Sequence, residues 1–245
     1  MCHPGEVFLF DVDGTLTPPR QPITSRFSDK LQTLVNEEIV YIVSGSDIKK
    51  IREQVPSRIL DKCRGIFTCS ANELWIDDKV VYSREFVVPK SLLSQLKNWM
   101  IQSEYPDRRG DHLEYRPGML NFSTVGRKAS LRDRDKYSVW DSESGERQRI
   151  ADNIRVNHPD LHVAIGGQIS IDIYPSGWDK SQSVDYIKEH HPGVPINFFG
   201  DKTSKYGNDY SAVCALGEGD RAFTVKDYKV TEKIINAFLE VKHDV

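Results

Sequence analysis

The chain has 245 residues, of which 38% are hydrophobic and 28% charged, the composition of an ordinary globular protein with enough apolar material for a core. At about 100–200 residues per domain, that length holds one large domain or two modest ones. A net charge of −3 argues against the broad basic surface that nucleic acid or an acidic membrane needs, so neither partner is expected, but a local cluster of arginines can still grip a small anion.

Cys2, Cys63, Cys69 and Cys214 form no Cys-x-x-Cys pair. They point to free thiols in a reducing compartment rather than to a zinc site. Met1–Phe10 is too short and too early-acidic for a signal peptide. No run approaches the ~20 apolar residues of a membrane helix, and a soluble cytoplasmic protein is expected.

Val7-Phe8-Leu9-Phe10 is a continuous apolar run, the pattern of a strand buried on both faces of a parallel sheet. It stops at Asp11-Val12-Asp13-Gly14-Thr15. Thr24 then opens a helix with Phe27, Leu31, Leu34 and Val35 at helical spacing. Ile39 to Val43 is a second buried strand, ending in Ser44-Gly45-Ser46-Asp47, a turn able to cap the next helix. Strand, helix, strand, helix predicts a parallel α/β sheet. Leu74-Trp75-Ile76 and Lys79-Val80-Val81-Tyr82 flank Asp77-Asp78 as a hairpin.

From about Glu85 to Trp178 the strands alternate in polarity. The isoleucines of Gln168-Ile169-Ser170-Ile171-Asp172-Ile173-Tyr174 take one face, and Ser170 and Asp172 the other. Arg116 shares a face with His112 and Glu114, opposite Leu113 and Tyr115. Alternation means a sheet with one wet face. Two polar-rich helices, near Ser130–Asp141 and Gly145–Asn157, are expected to cover the dry one. The apolar pattern then resumes, with a helix over Asp179–His190, a strand over Pro195–Phe199 ending at Gly200-Asp201, a strand over Ala222–Val225 and a C-terminal helix. The prediction is a Rossmann-like parallel-sheet core made of residues 1–83 and 179–245. An α+β cap domain on an antiparallel sheet, residues 84–178, is inserted in it.

Three buried strands therefore end in polar clusters: Asp11 with Asp13, Ser44 with Ser46, and Asp201 followed by Asn208 and Asp209. Ligands of open α/β sheets bind outside the carboxyl ends of the strands, so these groups share one rim. Crowded carboxylates need a cation, and an all-oxygen rim suits Mg²⁺ together with a phosphate. A carboxylate is also a competent nucleophile toward phosphorus. Lys180, at the start of a helix, adds a cation that can neutralise the transferring oxygens. A second carboxylate two residues from the nucleophile can exchange a proton with the leaving hydroxyl. Asp-x-Asp-Gly alone is more often a turn, and a lone lysine more often a surface charge. The ordered set is the specific signal.

Asp11-Val12-Asp13-Gly14-Thr15-Leu16-Thr17 resembles the first motif of the haloacid-dehalogenase superfamily, and Pro18-Pro19-Arg20 narrows the resemblance to the eukaryotic-type phosphomannomutases. Similar stretches are Glu114-Tyr115-Arg116-Pro117-Gly118-Met119-Leu120-Asn121, Val125-Gly126-Arg127, Gly166-Gly167-Gln168-Ile169-Ser170-Ile171-Asp172, Gly177-Trp178-Asp179-Lys180 and Phe198-Phe199-Gly200-Asp201-Lys202-Thr203. The resemblance spans essentially the whole chain.

It implies that Asp11 is phosphorylated, that Asp13 is the acid/base, and that Lys180 and a hydroxyl of Ser44 or Ser46 assist. Mg²⁺ would be held by Asp11, Asp13 through its backbone carbonyl, and Asp201, with Asn208 and Asp209 behind. Arg20, Arg116, Arg127, Arg134, Ser170, Asp172 and Asn121 would bind the hexose phosphate. The family implies a hexose 1,6-bisphosphate activator, a homodimer through the cap, and supply of mannose 1-phosphate for GDP-mannose and glycosylation. A side activity on glucose phosphates is compatible with it, and a sugar-phosphate phosphatase on the same scaffold is the alternative.

Overall fold

A computed structural model describes residues 5–205 and 207–243, so Cys2 lies outside the described residues. The core is a seven-stranded sheet in the order β11-β10-β1-β2-β3-β4-β5. Its strands are β1 (Val7–Phe10), β2 (Ile39–Val43), β3 (Gly65–Thr68), β4 (Glu73–Ile76), β5 (Lys79–Ser83), β10 (Ile196–Gly200) and β11 (Arg221–Thr224). β1 pairs in parallel with β10 and β2, and β11 and β3 extend the parallel part on either side. β4 and β5 are the expected hairpin, antiparallel at the far edge.

Every residue of β1 is fully buried, because helices cover both faces. Phe8, Phe10 and Phe199 face α1 (Ser25–Glu37), α2 (Ile48–Gln54) and α9 (Tyr228–His243). Val7, Leu9, Tyr41 and Phe198 face α7 (Ser181–His190) and α8 (Tyr210–Ala215). Local signals set the helix starts: Thr24 accepts from the Phe27 N–H, and Asp47 from the Lys50 N–H. A short helix, α3 (Ser57–Leu60), leads into β3.

A second, antiparallel sheet has the order β6-β7-β9-β8, from β6 (Leu113–Arg116), β7 (Met119–Phe122), β8 (Leu161–Gly166) and β9 (Ser170–Pro175). Its dry face is covered by α6 (Glu146–Asn157), as expected, and by α4 (Lys90–Gln102). The other expected cover, α5 (Leu131–Ser144), does not lie there. It buries Tyr137 in a separate small cluster and turns Arg134 and Ser138 to the wet side. α4 carries Leu92, Leu96, Trp99 and Met100 at helical spacing, a signal hidden by the expectation of alternating strands from Glu85 onward. Tyr115 lies opposite Arg116, paired with Leu120, as strand parity predicts, and is 61% exposed on the edge strand β6. Cys63, Cys69 and Cys214 are free thiols.

Candidate active site

The carboxyl ends of β1, β2 and β10 meet at one rim, and the wet face of the second sheet stands over it. The cleft between them, about 240 Å³, is lined from below by Asp11, Asp13, Arg20, Ser44, Ser46, Asp201, Lys202 and Asn208. From above it is lined by Arg116, Asn121, Arg127, Arg134, Ser170 and Asp172.

Asp11 follows β1, and its N–H continues the ladder to the Phe199 carbonyl. The chain then turns tightly, with the N–H groups of Thr15, Leu16 and Thr17 all directed at the Val12 carbonyl. Gly14 makes this possible at φ +87°, and a Cβ there would stand 2.7 Å from Asp201 Oδ2. The turn aims Asp11 and Asp13 into different surroundings. Asp11 is buried and accepts from Lys180 Nζ at 2.6 Å. Asp13 Oδ1 accepts from the Arg20 N–H at 2.6 Å and from Gln54 Nε2 at 2.8 Å.

Lys180 is fully buried just before α7 and bridges Asp11 Oδ1 and Asp209 Oδ1, each at 2.6 Å. Burial opposes its charge, but the two carboxylates override that penalty and hold the ammonium above its usual range. Asp209 spends its second oxygen on the Lys202 N–H. Asp11, Asp201 and Asp209 present carboxylate oxygens all within 4.8 Å of one another. Burial, then the neighbouring carboxylates, push Asp11 well up despite Lys180 and push Asp201 up to about 6.

The donor chemistry fits Mg²⁺. Three carboxylates face one buried ammonium, and among the described residues the charge left over meets the half-exposed Lys202, whose Nζ is 3.6 Å from Asp201. The convergent trio contains Asp209, but both of its oxygens are already engaged, by Lys180 Nζ and by the Lys202 N–H; the sequence reading put Asp13 in the set and Asp209 behind it. Asp13 enters that reading through its backbone carbonyl, and its side chain is turned to Gln54 and Arg20. Of the two hydroxyls, Ser44 is buried and accepts from the Ser46 N–H, and both line the cleft.

Sheet register assembles the upper wall. Glu114 pairs with Asn121, and Asn121 with Asp172, so three alternate-face residues form one row across β6, β7 and β9. Asn121 Nδ2 donates to Asp172 Oδ1. Arg127 Nη1 donates to Ser170 Oγ at 3.0 Å. Arg134 reaches in from α5, its Nε held by the Ala129 carbonyl. Burial and mutual repulsion lower both guanidinium groups to about 10, with Arg116 and Arg20 acting on Arg127, and Arg20 and Arg127 on Arg134. These arginines are crowded as a site for a dianion would crowd them.

The structure adds residues that the sequence reading did not select. Gln54 has no signal outside the fold. Arg147 sits in the first turn of α6, binds Asp141 and the Gly167 carbonyl, and lines the cleft. Glu114 lies among the arginines, and strand parity had already put it on the Arg116 face.

A family model described as eukaryotic phosphomannomutase matches residues 27–241. A phosphomannomutase of Dendrobium officinale is 35% identical over 218 residues, covering 84% of each chain. That of Saccharomyces cerevisiae is 35% identical over 215 residues, also covering 84% of each. Among solved structures, a sugar phosphatase of haloacid-dehalogenase subclass IIB superposes with a TM-score of 0.60 at 14% identity, covering 95% of this chain and 98% of the other. That likeness establishes the haloacid-dehalogenase fold, a parallel-sheet core carrying a separate antiparallel cap.

Proposed function

The chain belongs to the eukaryotic phosphomannomutase family, and from that membership we propose that it interconverts mannose 6-phosphate and mannose 1-phosphate through an aspartyl-phosphate on Asp11 and a hexose 1,6-bisphosphate intermediate. The observation that carries this reading is the two-walled cleft, with a carboxylate and its lysine below and five arginines lining it.

Asp11 attacks the phosphorus of the bisphosphate, the bond from phosphorus to the sugar oxygen breaks, and Asp13 gives that oxygen its proton. In the return step Asp13 takes the proton of the other hydroxyl, which attacks the phosphoryl group and frees Asp11. Lys180 holds the Asp11 carboxylate oriented and neutralises the transferring oxygens, with a hydroxyl of Ser44 or Ser46 beside them. Mg²⁺ held by Asp11, Asp201 and the Asp13 backbone carbonyl, with Asn208 and Asp209 behind, supplies further charge neutralisation when bound. Arg20, Arg116, Arg127 and Arg134 grip the distal phosphate, and Ser170, Asp172 and Asn121 take the sugar hydroxyls.

A mutase must keep water from the phosphoenzyme while the bisphosphate turns over, so the cap closes for chemistry and opens for reorientation. The cap comprises residues 84–178, and we assign the homodimer contact to it. The hexose 1,6-bisphosphate activates by charging Asp11. The enzyme works in the cytoplasm and feeds GDP-mannose formation for glycosylation. Glucose phosphates are side substrates, since one 2-hydroxyl is a small polar difference.

The test follows isomer formation and phosphate release from mannose 1-phosphate with Mg²⁺, with and without glucose 1,6-bisphosphate. Isomerisation that depends on the bisphosphate and exceeds phosphate release is expected, and Asp11→Asn is expected to abolish both. Phosphate release without isomerisation would make the protein a sugar-phosphate phosphatase instead.

A further inference from the structure

A carboxylate in the middle of a phosphate grip needs a reason, because it competes with the phosphate for the same donors. Glu114 stands there with both oxygens used twice. Oε1 takes Arg116 Nε at 3.1 Å and Lys50 Nζ at 2.6 Å. Oε2 accepts from Arg116 Nη2 at 2.9 Å and makes an ion-pair contact with Arg127 Nε at 2.6 Å, without hydrogen-bond alignment. Burial opposes its ionisation, but hydrogen bonding by Arg116 and the surrounding cations hold it well below the usual carboxylate range. Arg116 Nη1, the free end of the fork, donates to the Gly45 carbonyl at 2.6 Å, in the loop between Ser44 and Ser46.

Two of these contacts cross from one sheet unit to the other. Glu114 and Arg116 belong to β6, whereas Lys50 is in α2 and Gly45 precedes it. Lys50 also has a partner on its own side, with Asp47 Oδ2 at 3.4 Å. The ammonium therefore has a resting place when the cap lifts and a better one when it closes. Lys50 shares Glu114 Oε1 with Arg116 Nε, so the contact that joins cap to core is made on the same carboxylate that holds the Arg116 fork.

We propose that Glu114 and Lys50 are positioning residues: Glu114 aligns Arg116 and Arg127, and Lys50, arriving from the core on closure, latches the cap. The proposal rests on the mutase reading of the cleft. Both side chains are about a quarter exposed, so the pair is of the weak class, as suits a cap that must reopen in every cycle.

Lys50→Met removes the charge and keeps the stem. Phosphate released per isomer formed from mannose 1-phosphate, and the KM, are each expected to rise about 2- to 5-fold, with kcat changed less, and Lys50→Arg is expected to restore both. Glu114→Gln is expected to raise KM and lower kcat together. Wild-type partitioning and KM in Lys50→Met would overturn the proposal. Hydrogen exchange at residues 84–89 and 175–179, with glucose 1,6-bisphosphate and Mg²⁺ bound, reads closure whatever the product is. It is expected to be faster in Lys50→Met, and unchanged exchange overturns the latch. A wild-type enzyme that only releases phosphate overturns the mutase reading and leaves this readout standing.

Discussion

Asp11 and Asp13 are two residues apart and are tuned differently by what each touches. The amide of Gln54 donates to both Asp13 Oδ1 and Thr17 Oγ1, so it ties the proposed acid/base carboxylate to the motif turn. Gln54→Leu keeps the bulk and removes the amide. It is expected to lower kcat about 10- to 100-fold with little change in KM, which steady-state kinetics would show. Nothing in the sequence marks Gln54, since it faces Asp13 only because α2 packs beside the turn. Burial, then the Asp209 carboxylate, raise Asp201 to about 6. A carboxyl whose folded pKa lies above its unfolded value favours the folded state while protonated. The metal-free protein therefore loses that contribution as pH rises from roughly 4 toward about 6. Mg²⁺ is expected to raise the melting temperature clearly at about pH 7.5 and little at about pH 5. Melts with and without MgCl₂ at the two pH values check this, and equal shifts would count against the cluster as the cation site.

Among the elements, the buried strands were legible from their apolar runs, and β1, β2 and β10 lie where those runs stand. α5 shows where a polar pattern misleads. Its buried side chains are Arg134, Tyr137 and Asp141, too few apolar groups to seat a helix on a sheet. Its ends therefore matter more. Ser130 and Asp133 form a reciprocal capping box, and Gly145 closes the helix at φ +65°. Ser130→Ala is expected to cost about 1 kcal/mol and to raise KM by loosening Arg134. Denaturant titration beside substrate kinetics would show both, and an unchanged KM with lowered stability would separate α5 from the grip.

At the scale of the molecule, a chain of net charge −3 gathers Arg20, Arg116, Arg127, Arg134 and Arg147 around one cleft. Such a cleft steers a dianion, so kcat/KM is expected to fall as salt rises toward about 0.15 M while kcat changes little. A salt-independent kcat/KM would show that these charges are matched within the protein. The residues alone determined the parallel core, the antiparallel insertion and the ordered carboxylates, lysine and arginines, because hydrophobic period and strand-end chemistry are local properties of the chain. Which carboxylates converge, that α4 rather than α5 covers the cap, and that Lys50 meets Glu114 were decided by the tertiary structure. Lys50 meets Glu114 across 64 positions and Asp11 meets Asp209 across almost 200, and only packing brings such distant segments within reach.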